Sequence, residues 1–143
     1  MRTSLRLALV GVGLASAAGC GVFDNPTPHD ISLRLSGNAP VEIILSQRFL
    51  AGVDESGGTQ VQILSADTLH RTLPLDTVVD IAVNQRFFVQ VTPEGADMTS
   101  IGALVRVDDR TVLDDSGDVA ASDPWRYVYV FNQQITQIVD VVF

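Results

Sequence analysis

Six carboxylates crowd one stretch of this sequence: Asp108, Asp109, Asp114, Asp115, Asp118 and Asp123. Carboxylates on turns, loosened by Ser116 and Gly117, could supply the roughly six to eight oxygens a calcium ion takes. The set for that reading is Asp108, Asp109, Asp114, Asp115 and Asp118, with Asp123 close behind. Their spacing fits no EF-hand loop, and Asp, Ser and Gly are ordinary turn residues. Solvated turns are the simpler reading.

Asp115-Ser116-Gly117, following Val112 and Leu113, resembles the Asp-Ser/Thr-Gly turn of aspartic proteases. That resemblance implies a catalytic Asp sharing a proton with a twin, which a homodimer would provide. Asp114 stands where the family keeps an apolar residue, and the family's later apolar-apolar-Gly motif is missing. His29 and His70 are the only histidines, and no G-x-S-x-G elbow exists for a serine nucleophile. Two scattered His cannot complete a zinc site. There is no Lys, which excludes Schiff-base and P-loop lysine chemistry, and no glycine-rich phosphate loop. The expectation is a non-enzyme without cofactor and with no catalytic residue.

The aromatic residues Trp125, Tyr127, Tyr129 and Phe131 alternate along one segment. As core, such rings fill the space between two sheets. As a binding face, Trp125, Tyr127 and Tyr129 would stack sugars or grip an apolar ligand. Arg126, Val128 and Val130 on the opposite side are only partly polar, which predicts a strand buried on both faces, so core is preferred.

The elements that must position these residues read as strands. Ile31, Leu33 and Leu35 alternate with polar neighbours, and after Gly37-Asn38-Ala39-Pro40 the alternation resumes at Val41, Ile43 and Leu45. Asp54 to Gly58 is a turn cluster, followed by Val61 and Ile63. A weaker candidate from Thr68 to Leu73 ends at Pro74. Val79, Ile81 and Val83 form another stripe, and Phe87, Val89 and Val91 a stronger one. Ile101, Ala103, Val105 and Val107 lead through Asp108-Asp109 back to Thr111-Val112-Leu113. Ile135 to Phe143 closes the chain with a β-branched run that could form an edge strand. Eight or nine short strands without a helical face predict an all-β sandwich.

Charge narrows the partners. All 17 acidic residues follow Cys20, against seven arginines there, a formal charge of −10. Such a domain is repelled by phosphate backbones and by anionic head groups, which argues against nucleic acid and against docking on lipid through its surface.

The N-terminus reads as an address. Met1 to Arg6 is a short basic region and Leu7 to Ala18 an apolar stretch too short to span a bilayer. Ala17-Ala18-Gly19-Cys20 resembles the lipobox of bacterial lipoproteins, although Ala17 replaces the usual Leu. The resemblance implies a leader over residues 1–19, removed before a lipidated Cys20, and a protein held on the outer face of a membrane by acyl chains. Gly21 in place of Asp implies no retention at an inner membrane. Residues 20–30, with Asn25-Pro26-Thr27-Pro28, read as an extended tether, and residues 31–143 as the folded domain.

The folded part is similar to the immunoglobulin-like sandwiches of bacterial envelope proteins, with the extracytoplasmic domain of mycobacterial MmpS-type proteins as the nearest likeness. The similarity rests on Ile31-Ser32-Leu33-Arg34-Leu35-Ser36-Gly37 and on Val105-Arg106-Val107-Asp108-Asp109, with Val112 and the Asp-Ser-Gly segment beyond. It implies a single sandwich of about eight strands. The chain departs from that type in its lipobox and in lacking a cysteine pair. The expected function is a lipid-anchored envelope protein whose sandwich engages a protein partner. The alternative is a carrier or sensor holding a sugar or small apolar ligand inside the sandwich.

Overall fold

The computed structural model describes residues 26–53, 55–133, 135 and 138–143. Cys20, the leader and the first part of the tether lie outside the described residues. Nine strands follow one another: β1 (Asp30–Ser36), β2 (Pro40–Val53), β3 (Thr59–Thr72), β4 (Leu75–Asp80), β5 (Arg86–Pro93), β6 (Thr99–Val107), β7 (Arg110–Val119), β8 (Trp125–Val130) and β9 (Ile138–Val142). No helix occurs among the described residues.

The strands form two sheets, ordered β4-β1-β6-β7 and β8-β5-β2-β3-β9. All neighbours are antiparallel except β3 and β9. β1 lies beside β4 in one sheet while their successors β2 and β5 lie together in the other. This crossed pairing also underlies immunoglobulin-like sandwiches. The chain is therefore an all-β sandwich, as the alternating pattern predicts.

The alternation has a direct physical outcome. Ile31, Leu33 and Leu35 of β1 are wholly buried, and they meet Val41, Ile43, Phe87, Val89, Val91 and Val105 between the sheets. Each such side chain contributes about 1.5–3 kcal/mol by leaving water, against the entropy of ordering it.

β2 and β3 run longer than their patterns suggest because both change faces partway. Their register shifts between Leu45 and Arg48 and again between Arg48 and Phe49, so each strand carries one irregularity. Ser46 holds the kink: its Oγ donates to the Ser65 carbonyl at 2.6 Å and accepts from the Arg48 amide at 3.0 Å. Before it, Val41 and Ile43 belong to the core between the sheets. Beyond it, Phe49, Val61 and Ile63 pack on the outer face with Phe88, Val128 and Val130. Ile135, Ile138 and Val141 cover this second cluster. The five-stranded sheet is thus apolar on both faces.

Three expectations need correction. Val83 is not part of a strand stripe: β4 ends at Asp80, Ile81 is buried in the following turn, and Val83 is 89% exposed. Asp114, Asp115 and Asp118 lie within β7 and not on turns. Phe131 falls in the turn after β8. The final run does form a sheet margin, but β9 is shorter than the apolar stretch and pairs in parallel with β3.

Candidate functional site

The two sheets part along one side, between the marginal strands β7 and β8. The chain passes from one to the other through a tight link in which Ala120 and Asp123 exchange backbone hydrogen bonds at 3.2 and 3.0 Å. Just beyond that link lies an open groove of about 490 Å³, walled by Asp115, Asp118, Asp123, Trp125 and Tyr127 and, round the β8 edge, by Arg126 with Val128, Ile135 and Ile138 of the outer cluster. That volume lies within the range of small-ligand sites.

β8 puts alternate side chains to different uses. Trp125, Tyr127 and Tyr129 pack as partly buried rings against the core between the sheets, while Val128 and Val130 are buried in the outer cluster. The rings of Trp125 and Tyr127 are nearly parallel, at 13°, with centroids 6.4 Å apart. Trp125 Nε1 donates to Asp115 Oδ2 at 3.3 Å, joining the margin of one sheet to that of the other. Burial pushes the Tyr127 hydroxyl up to about 12, helped by neighbouring Tyr129. The aromatic stripe therefore seals the core and walls the groove together.

Arg126 points to the other side of β8, where its Nε donates to Gln90 Oε1 at 2.8 Å. Gln90 is itself buried, and its Nε2 donates to Thr92 Oγ1 at 3.4 Å. Neither Gln90 nor Arg126 stands out in the sequence, because a hydrogen bond across 36 positions leaves no local pattern.

A second hollow of about 670 Å³ lies at the opposite end of the same margin, lined by Pro26, Pro28, Asp108, Arg110, Tyr129 and Phe131. Here the turn from β6 to β7 is built by Asp108 and Asp109, both at positive φ (45° and 65°). Asp tolerates that region better than most side chains. Asp108 Oδ1 accepts the amides of His29 and Asp30 at 2.9 and 3.1 Å, which ties the entering chain to the turn. These bonds hold the Asp108 carboxyl below its ordinary value, with a smaller contribution from the nearby His29 ring.

The structure spreads the acidic set considered for calcium. Asp108 and Asp109 sit at the β6–β7 turn, and Asp114, Asp115 and Asp118 are strung along β7. Among the described residues no group of three or more His, Cys, Asp and Glu is arranged to hold a metal ion. Asp115 does not stand on a protease-like turn. Its Oδ1 accepts the Ser116 amide at 2.9 Å within a strand, and its Oδ2 accepts Trp125. His70 points outward, as expected, and meets Glu94 at 2.6 Å.

Protein-family models, curated proteins and solved structures offer no match to this chain. The groove between β7 and β8 therefore stands on its own geometry. It joins flat aromatic surface, carboxylates and a sheet margin, a combination suited to gripping an extended or ring-shaped polar ligand.

Proposed function

We propose that the chain is a lipid-anchored, non-enzymatic protein of the cell envelope whose sandwich docks a protein partner. The open margin between β7 and β8 carries this reading. The interior between the sheets is filled by buried side chains, whereas the groove beside Trp125 opens to solvent along two strand edges. Unpaired strand edges bind other chains through main-chain hydrogen bonds, with side-chain pockets adding selectivity.

The anchoring half rests on Ala17-Ala18-Gly19-Cys20 and its basic and apolar approach. β1 starts at Asp30, so the first strand begins ten residues past that cysteine. Two or three acyl chains, at about 0.8 kcal/mol per buried methylene, would hold the protein on a bilayer far more firmly than one.

Replacing Cys20 with Ser should abolish acyl labelling and release the protein from membranes. A Cys20→Ser protein that still takes up label and sediments with membranes overturns the anchor. A photo-crosslinking side chain at position 118 should then give one defined adduct in intact cells, and a blank result argues against docking.

A second reading, a carrier or sensor for a sugar or small apolar ligand, is favoured by the same volume beside Trp125 and Tyr127. Such a ligand would lie at the margin of the sandwich and not within its interior.

A further inference from the structure

We propose that β7 takes an extended, Lys- or Arg-bearing segment of the partner as an added strand, with cations seated among Asp115, Asp118, Asp123 and the rings of Trp125 and Tyr127. The proposal rests on the docking reading above and names the chemistry of the partner.

Three observations carry it. First, β7 is ten residues long, exposed along nearly its whole length, and paired only with β6 among the described residues. Its outer row of backbone groups is a template for another strand.

Second, the charge at this margin selects the occupant. Asp114, Asp115 and Asp118 lie on the strand itself, and Asp123 lies across the groove. Two copies of β7 paired edge to edge would bring carboxylates opposite carboxylates, and like charges facing across a ladder are destabilising. A second copy of this chain, an anionic lipid and a nucleic acid are all disfavoured by that charge. The groove lining counts three aspartates against one arginine; Asp115 also accepts Trp125 Nε1 and the Ser116 amide, and Arg126 gives its Nε to Gln90. A basic segment answers this imbalance.

Third, the aromatic wall suits the same occupant. Ammonium and guanidinium groups are attracted to the faces of Trp and Tyr rings, and more strongly where water is excluded. Alternate side chains of an added strand would point into the groove, and the rest away from it.

The chain contains a single tryptophan, Trp125, so its emission reports on the groove directly. The experiment titrates the full chain, in neutral detergent, with an eight-residue capped peptide alternating Val and Lys. The matched Val–Glu peptide and spermine serve as comparisons. The expected result is a saturable change in Trp125 emission with the Val–Lys peptide only. That response should weaken as salt rises toward about 0.5 M, since screening shortens the reach of exposed charges. The combined Asp115→Asn, Asp118→Asn and Asp123→Asn variant should bind about tenfold or more weakly, as expected for lost charge-assisted hydrogen bonds.

No saturable response to Val–Lys, or an unchanged affinity in the Asn variant, overturns the proposal. An equal response to Val–Glu removes the charge preference yet leaves edge docking intact. Binding of spermine as tight as that of the peptide removes the added strand. If position 118 also yields no crosslink in cells, the docking reading falls with it. The peptide comparison is made on the unaltered chain, so a misfolded variant does not obscure the outcome.

Discussion

Phe49 and Phe88 meet with ring centroids 6.2 Å apart and planes tilted by 56°, on the face of the five-stranded sheet turned away from the sandwich. Arg86 completes the arrangement. Its guanidinium carbon lies 5.7 Å from the centre of the Phe49 ring, and its Nη1 donates to the Phe49 carbonyl at 2.9 Å. Both rings are buried on what would otherwise be the solvent side of the sheet. Phe88→Ala should cost about 3–5 kcal/mol, as for a ring in the central core. Urea unfolding measures this, and a loss below about 1 kcal/mol would show the outer cluster to be peripheral.

That outer cluster depends on the C-terminal segment. Ile135, Ile138 and Val141 pack over Phe49, Val61, Phe88, Val128 and Val130. Removing residues 134–143 should lower the melting temperature and expose enough apolar surface to bind a hydrophobic dye. An unchanged melting curve without dye binding would contradict this.

Ser46 should be worth more than an ordinary serine. Its hydroxyl satisfies two backbone groups where the register slips, the Ser65 carbonyl and the Arg48 amide. Ser46→Ala leaves both without that partner in a buried setting, at a cost of about 1–3 kcal/mol. The denaturation midpoint should fall with no change in slope.

Asp108 makes stability sensitive to acid. Its folded-state pKa is lowered below 3.8, so its contribution is complete above that value and is lost as pH falls through the folded pKa. The stability gap between the natural chain and Asp108→Asn should therefore be present at pH 7 and shrink as pH falls below 3.8 and through the folded pKa. A gap that is constant with pH would show that the carboxylate charge is not involved.

The two tyrosines place a second window at alkaline pH. Tyr127 is pushed up to about 12, and Tyr129 is raised above 10.0, mainly by burial and secondarily by Asp108. A raised folded-state pKa contributes stability below the unfolded value and loses it as pH rises. Stability should accordingly decline between about pH 10 and 12. Ultraviolet titration of the native chain should show phenolate appearing later than in the denatured chain. Coincident curves would contradict the burial of Tyr127.

Much of the sandwich was legible because its central strands face a dry core on one side. Ile31, Leu33 and Leu35, or Ile101, Ala103 and Val105, cannot alternate by accident over that length and still be buried together. β7 was harder to read. A marginal strand with solvent along its edge needs no apolar repeat, so Asp114 to Asp118 reads as turn although it runs as strand. β2 and β3 look short in the sequence for a different reason: the kink at Ser46 moves odd-numbered side chains from one face to the other, which breaks the period. The groove was legible only in its aromatic wall. Its other wall comes from a neighbouring sheet, and Gln90 reaches Arg126 through tertiary contact alone.

The chain enters the sandwich beside the β6–β7 turn, where Pro28 is buried and Asp108 grips His29 and Asp30. β7 then runs away from that point, and the link from Ala120 to Asp123 lies about 30 Å further along. The doorway and the groove are thus at opposite poles. Were the N-terminus fastened to a surface, Asp118 and Asp123 would lie at the end of β7 farther from the point of attachment.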